Sequence, residues 1–317
     1  MSEDSPVDPV DADDSADAVV VGGGPAGCAA SLFLARYGLD TMVFDRGTAS
    51  LDRCAFLGNY PGFPAGIDVE TFQTLLTDQI RASDADLVTE LVERVDRPGT
   101  ESIDGDDGRA SDGFVVETAA GRTVTTSYVV AATRYDAEYL RPLGGDAMFE
   151  THEHDGEEHE HFDPDYADAD GRIPVEGCYV ASPAGERDVQ AVVAAGRGAH
   201  VARVLLEDHR ADEGYPPALA KQYDWLRPET EFEGEWGGRE RWREWFDARV
   251  PEDLDVDTDR LETLRERYID DAFATRRSDE EVENRTERAH RRLVEHVDDR
   301  VVLERAAEIE GERASEN

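Results

Sequence analysis

Apolar positions along this chain change their period as it advances, and the changes mark the elements. Ala18-Val19-Val20-Val21 is a short apolar run without polar interruption, the pattern of a parallel strand buried on both faces. Glycines follow, then an apolar helix predicted from Ala26 to Tyr37, with Gly38 where a helix ends in a left-handed residue. Thr41–Phe44 is a second buried run, which completes a βαβ-type unit. Phe72, Leu75, Leu76 and Ile80 share one face of a helix predicted over 69–82. Residues 86–95 alternate as a strand, and 98–112 are polar and Gly/Asp-rich, a hairpin tip or loop. Residues 114–116 and 123–125 flank Ala119-Ala120-Gly121 as a β-hairpin. Residues 128–132 and 177–181 are two more buried strands. A helix over 188–208 carries Val189, Val192, Val193, Val201, Val204 and Leu205 at helical spacing.

Two stretches depart from this rhythm. Residues 142–172 are rich in Gly, Asp, Glu and His with little to bury, and read as a loop or linker. Beyond residue 209 the pattern predicts four helices, over 217–226, 239–249, 258–274 and 279–309, with no repeat period. The expected organisation is an acidic disordered tail over 1–16, an α/β domain over 17–208 and a helical appendage over 209–317.

Charge changes the picture of where such a chain works. Lys+Arg is 33 and Asp+Glu is 74 in 317 residues, a formal net charge of −41, and Lys221 is the only lysine. Such a surface repels itself in dilute buffer, whereas molar salt shortens the Debye length to about 3 Å and screens it. The composition is therefore of the haloarchaeal type, suited to a salt-filled cytoplasm. It argues against nucleic acid and anionic membranes as partners. Three widely spaced cysteines, Cys28, Cys54 and Cys178, fit a reducing compartment. No signal peptide or apolar membrane span is legible, so a cytoplasmic protein is expected.

The candidate chemistry sits in the first glycines. Gly22-Gly23-Gly24-Pro25-Ala26-Gly27 satisfies G-x-G-x-x-G between a strand and a helix. Gly22 serves the tight turn, Gly24 admits a pyrophosphate to the backbone, and Gly27 lets helix and strand pack closely. Asp45 closes the second strand at the distance of a ribose-binding carboxylate. These residues predict a Rossmann-type dinucleotide site.

With these motifs the chain resembles the two-dinucleotide-binding-domain flavoproteins, and within them thioredoxin reductase. Asp45-Arg46-Gly47 is similar to the family's acidic residue and turn. The segment from Gly58 to Ile67, G-N-Y-P-G-F-P-A-G-I, resembles the N-(F/Y)-P-G-F-P-x-G-I segment along the flavin. Residues 128–133 resemble the strand ending in A-T-G, and 177–191 the last FAD-binding segment. The resemblance implies FAD, with Gly22, Gly24 and Gly27 at the pyrophosphate, Asp45 on the adenosine ribose, Asn59 near the isoalloxazine and Gln190 near its pyrimidine side, and with Pro25, Ala26, Arg46, Thr133 and Ala191 as further cofactor-binding residues. It implies a Rossmann-type FAD-binding domain, a parallel sheet with a β-hairpin or meander layer.

The departures bear on activity. Only 44 residues separate Thr133 from Cys178, with no strand–glycine–helix pattern, so the family's NADPH domain and its redox dithiol are expected to be absent. Direct use of NAD(P)H stays open. The A-T-G glycine is Arg134, and the G-D pair of the last segment is Ser182-Pro183. Cys54 is a candidate lone thiol near the flavin, its alternative being a buried small hydrophobe. His152, His154, His159 and His161 are candidate ligands for Zn, Ni or Co, their alternative being a solvated His/acid-rich loop. Two functions are carried forward. One is an FAD-dependent oxidoreductase, not a dithiol disulfide reductase, with a small-molecule or protein redox partner and homo-oligomerisation open. The other is a non-catalytic nucleotide-binding scaffold of the same ancestry.

Overall fold

The computed structural model describes residues 14–47, 50–98, 113–134, 137–154, 157–221, 223, 225–254 and 256–316. The chain divides into two compact units, residues 1–209 and 210–317. The hairpin tip expected within 98–112 and the first thirteen residues of the expected tail lie largely outside the described residues.

The first unit is built on one seven-stranded sheet. Strands β1 (Asp14–Val21), β2 (Thr41–Phe44), β5 (Asp86–Val88), β8 (Thr123–Ala132) and β11 (Cys178–Ser182) run parallel; β6 (Val92–Asp96) and β7 (Phe114–Thr118) join antiparallel, after a small hairpin of β3 (Phe56–Leu57) and β4 (Ile67–Asp68). The continuous apolar runs are explained by burial on both faces. Ala18 and Val20 enter one core with helices α1 (Pro25–Arg36), α2 (Val69–Arg81) and α4 (Ala191–Asp212). Val19 and Val21 enter the other, where Val92, Val95 and Phe114 of the β6–β7 meander cover Met42 and Phe44.

Several expected boundaries move. Strand β1 begins at Asp14, so Asp14–Ala16 pair with Val124–Thr126 and do not belong to a tail. The single strand expected over 86–95 is two, because Glu90 turns aside to accept from Thr118 Oγ1 at 2.7 Å and Arg122 Nε at 3.2 Å. Two expected strands over 123–132 are one: β1 lines one edge of β8, while β7 takes the first half of its other edge and β11 the second. Gly177, at φ +83°, lies at that branch, where a Cβ would crowd Ser127 O at 2.9 Å and the Phe114 ring. Helix α4 starts at Ala191, which leaves Val189 before it and exposed.

The segment 142–172 is not a linker. It contributes a short helix, α3 (Arg141–Gly144), and an antiparallel hairpin of β9 (Phe149–His154) and β10 (Glu157–Phe162). Met148, Phe162 and Ala167 are buried in the meander-side core. A few large apolar anchors among many charges suffice to fold it, which composition averaging conceals. Arg172 ties its end to α4 through Asp208 at 2.7 and 2.8 Å, and Tyr179 donates to the same carboxylate at 2.9 Å.

The second unit is helical: α5 (Pro217–Ala220), α6 (Arg239–Asp247), α7 (Thr258–Ala274), α8 (Asp279–Val294) and α9 (Asp299–Glu316), with a minimal parallel pair of β12 (Arg227–Pro228) and β13 (Arg276–Arg277). Tyr215, Leu219, Phe246 and Leu264 form its core. The helix expected over 217–226 is a single turn, and that over 279–309 is two. Asp298 starts the second of these by accepting from Arg300 N at 2.9 Å, as an N-cap carboxylate does. Among the described residues no helix is long and apolar enough to cross a membrane.

Candidate functional site

A cleft of about 410 Å³ opens at the carboxyl ends of the parallel strands in the first unit. Ligand sites in open α/β sheets form at that edge, and the volume is within the usual range for small-molecule pockets. One wall is the turn from β1 into α1. Gly22 takes φ +109°, and a Cβ there would meet Ala132 O at 2.5 Å. Gly27 sits where a Cβ would overlap the Gly22 carbonyl, so α1 can begin beneath the loop only with glycine at that position. Around Gly24 the space is open. Gly24 is the N-cap of α1, with no side-chain cap and no acidic residue in the first turn. The first-turn N–H groups and the positive end of the helix dipole are left to an anion in the cleft.

Asp45 and Arg46 follow β2 into the cleft. Asp45 Oδ1 accepts from Gly47 N at 3.1 Å, and a Cβ on Gly23 would touch the same carboxylate at 2.8 Å. The middle fingerprint glycine therefore makes room for the acidic residue, a role in addition to those of Gly22, Gly24 and Gly27. Thr133 and Arg134 enter from the end of β8, Ser182 from the end of β11, and Gln190 and Ala191 from the start of α4. Asn59 reaches this rim through its Nδ2, which donates to Gln190 Oε1 at 3.0 Å across 131 residues of sequence. The segment that carries Asn59 is held by Tyr60, Phe63 and Phe72, whose rings pack 4.8–6.1 Å apart. Gly66, at φ +82°, lets its end pass the Phe56 ring and the Leu57 carbonyl.

Gly22, Gly24, Pro25, Ala26, Asp45, Arg46, Thr133, Gln190, Ala191 and Cys54 line this one cleft. Asn59 is bonded to it, and Gly27 supports it from behind. Cys54 is exposed, which overturns the alternative of a buried small hydrophobe. Burial instead claims Cys28 and Cys178, whose thiols are pushed up to about 12. His159 and His161 lie on β10, away from this lining, and His152 and His154 on β9. Among the described residues no three His, Cys, Asp or Glu side chains are gathered as a metal site; the side chains of His152 and His154 are outside that description.

Arg134 takes φ +65°, alone in this region among the described non-glycine residues. A side chain in that conformation is strained by roughly 1–2 kcal/mol. This is the position where the resembling family carries glycine, so the backbone shape persists although its usual residue does not. Sequence reasoning missed Tyr139, which lines the cleft and lies 3.2 Å from Thr133 Oγ1 through its hydroxyl. It also missed Gly198, where a Cβ would overlap the Ala26 carbonyl and force α4 off α1. A glycine inside an apolar helix was the available signal for that close approach.

A family model for pyridine nucleotide-disulphide oxidoreductases matches residues 16–173. Among solved structures, a thioredoxin reductase from Gloeobacter violaceus is 17% identical, with 67% of this chain and 98% of that chain covered and a TM-score of 0.49. The thioredoxin reductase of T. acidophilum is 16% identical, covering 62% and 99%, with a TM-score of 0.45. An atypical thioredoxin reductase from Desulfovibrio vulgaris Hildenborough is 18% identical, covering 62% and 98%, with a TM-score of 0.44. These structural likenesses carry no weight for activity or partners. Through residues 16–173, the chain belongs to the pyridine nucleotide-disulphide oxidoreductase family.

Proposed function

We propose that the first unit is a flavin-dependent oxidoreductase that holds FAD in this cleft. The observation that carries the reading is convergence. The fingerprint loop, the end of β2, the Asn59 segment, the end of β8 and the start of α4 are far apart in sequence, yet they meet at one cleft. The residues fit a dinucleotide. The open space at Gly24 and the uncapped start of α1 suit a pyrophosphate, and the Asp45 carboxylate suits ribose hydroxyls. Asn59 occupies the Gln190 carbonyl oxygen, which leaves the Gln190 amide nitrogen to donate toward the flavin pyrimidine edge. Val21, Phe44, Leu51 and Leu57 add apolar lining. Bound FAD supplies the electron-transfer chemistry, and the protein supplies position and electrostatics. The reductant is NAD(P)H reaching the flavin directly, a small thiol or a reduced protein.

The test is the visible spectrum of protein purified in molar KCl. An oxidised-flavin double band is expected. NADH, NADPH and a reduced thiol added in turn to the same cuvette then identify the donor by bleaching. A colourless protein that also refuses added FAD overturns the reading. A second reading, a non-catalytic nucleotide-binding scaffold, is favoured by Arg134 and by Ser182-Pro183, which offers no carboxylate where the resembling family has one. That reading requires bound flavin or nucleotide that no donor reduces.

A further inference from the structure

Helix α8 is fixed at its start by the Ser278 capping box, yet no residue from Asp279 to Val294 is buried. Helices in proteins gain most of their stability from an apolar face laid against something, and a helix of 16 residues standing alone in water is marginal. This helix has such a face. Val282, Thr286, Ala289 and Leu293 recur at spacings of four, three and four, the period that draws one seam along each helix of a coiled pair. Val282 is 48% and Leu293 54% exposed, so the seam is bare at both ends. The hydroxyl of Thr286 donates to Val282 O at 2.8 Å, which satisfies the polar group within it.

The charges along α8 decide what fits against that seam. Its first half, residues 279–286, carries the carboxylates of Asp279, Glu280, Glu281 and Glu283 against the single guanidinium of Arg285. Its second half, residues 287–294, carries Arg288, Arg291 and Arg292 against the single carboxylate of Glu287. The helix is acidic at one end and basic at the other, in a chain whose net charge of −41 turns most surfaces away from a second copy. The order of the seam is also two-fold. A second α8 laid antiparallel, about an axis between Glu287 and Arg288, sets Val282 against Leu293 of the second copy and Thr286 against its Ala289, with each acidic half beside a basic one. Laid parallel, it would set each half against its like. A patch that meets itself in this manner is what a two-fold dimer requires. The small Thr286 and Ala289 at the centre let the two helices approach closely.

We propose that α8 is a homodimerisation surface, pairing antiparallel with α8 of a second copy of this chain through the seam of Val282, Thr286, Ala289 and Leu293. Apolar burial supplies the affinity, and the opposed charges choose the orientation. Molar salt screens the general repulsion between two acidic chains, whereas groups brought into contact are screened less. Two helices of this length make a small interface, so the dimer is reversible and dissociates on dilution. The inference concerns the second unit alone and does not rest on the proposed activity.

The experiment is sedimentation equilibrium of the full-length, untagged chain in molar KCl over a wide range of concentration. A concentration-dependent monomer–dimer equilibrium is expected. Each dimer buries Leu293 twice, so Leu293→Glu should weaken association at least about tenfold, and Val282→Glu likewise. Asn284→Glu, on the opposite side of the helix, should leave it unchanged. These positions are exposed in the single chain, so each variant should keep the parent unfolding temperature at concentrations where the chain is monomeric. Orientation is read by oxidation in a Cys54→Ser background, where the remaining Cys28 and Cys178 are buried. Antiparallel pairing brings position 282 to position 293 of the second copy and holds like positions about 16 Å apart along the axis, at about 1.5 Å per residue. Val282→Cys and Leu293→Cys proteins should therefore crosslink when mixed and not singly. A chain that stays monomeric throughout, a dimer indifferent to Leu293→Glu, or single-cysteine variants that crosslink to themselves overturns the proposal.

Discussion

Gly24 and Gly27 belong to one motif and do different physical work. Gly24 faces open space, so Gly24→Ala should fold normally and project a methyl group toward the pyrophosphate position. FAD affinity should fall by at least about tenfold, since about 1.4 kcal/mol is a factor of ten, while the unfolding temperature of the flavin-free protein stays unchanged. A Cβ at Gly27 overlaps the Gly22 carbonyl, so Gly27→Ala should destabilise the fold itself by about 1–3 kcal/mol or more, as overpacking does. Flavin titration together with thermal unfolding of both variants checks the pair; equal effects on stability would refute the division. The cysteines divide in a similar way. Cys28 and Cys178 are buried with raised pKa values, and Cys54 is exposed. A thiol reagent at neutral pH should label Cys54 alone in the native protein and all three after denaturation, and FAD should slow the native reaction because Cys54 lines the cleft. At Arg134, substitution by glycine removes left-handed strain but adds chain entropy, so Arg134→Gly should raise stability by about 0.5–1 kcal/mol or less. A loss of stability instead would mean that the guanidinium contacts outweigh the strain.

Elements fold where a few strong local decisions agree. Helix α8 has no buried residue, yet its start is defined by the Ser278 capping box, in which Glu281 N donates to Ser278 Oγ and Ser278 N to Glu281 Oε2. Helices α6 and α7 are joined by charge as well as by core. Arg243 donates to both oxygens of Glu266 at 2.7 and 2.9 Å, and Arg239 adds a third bond at 3.1 Å. The Arg243 guanidinium, first, and then Arg239 hold the Glu266 carboxyl at about 2, below its ordinary 4.5. A depressed carboxyl stabilises the fold above its ordinary pKa and loses that contribution as pH falls through the folded value. The second unit should therefore lose stability as pH drops from about 4.5 toward about 2, and Glu266→Gln should flatten that limb while lowering stability at neutral pH. All four tryptophans, Trp225, Trp236, Trp242 and Trp245, lie in this unit, so their fluorescence follows its unfolding within the full chain. An unchanged acid limb in the variant would remove Glu266 from this role.

At the scale of the whole molecule, the net charge of −41 sets the conditions under which the rest holds. Many ion pairs are intrahelical and exposed, such as Arg291–Glu287 and Arg300–Glu304, and pairs of that kind contribute little each. The unpaired excess of carboxylates repels over distances that salt controls. Lowering KCl from about 3 M to about 0.1 M lengthens the Debye length from below 3 Å to about 10 Å. Unfolding temperature measured across that range should fall steadily as salt is removed. A flat profile would show that the acidic surface does not govern stability.

What the sequence by itself determined is local. The buried strands, the fingerprint between β1 and α1, and the position of Asp45 rest on chain geometry within about one βαβ unit, where spacing alone dictates which atoms meet. Family motifs extended that reading to Asn59, Thr133 and Gln190 without saying how they meet. The tertiary structure decided what depends on pairing across long separations. The Asn59–Gln190 bond, the shared edge of β8, the room that Gly198 makes for α1 and the strained Arg134 all follow from strands and helices meeting at distances that no local period encodes. The segment 142–172 shows the reason most directly. Composition predicted a loop, because Phe149 and Phe162 are few among many charges. Once those two anchor a hairpin, a two-residue alternation and one register place His159 and His161 on one face, and a slip of a single residue would turn both to the other.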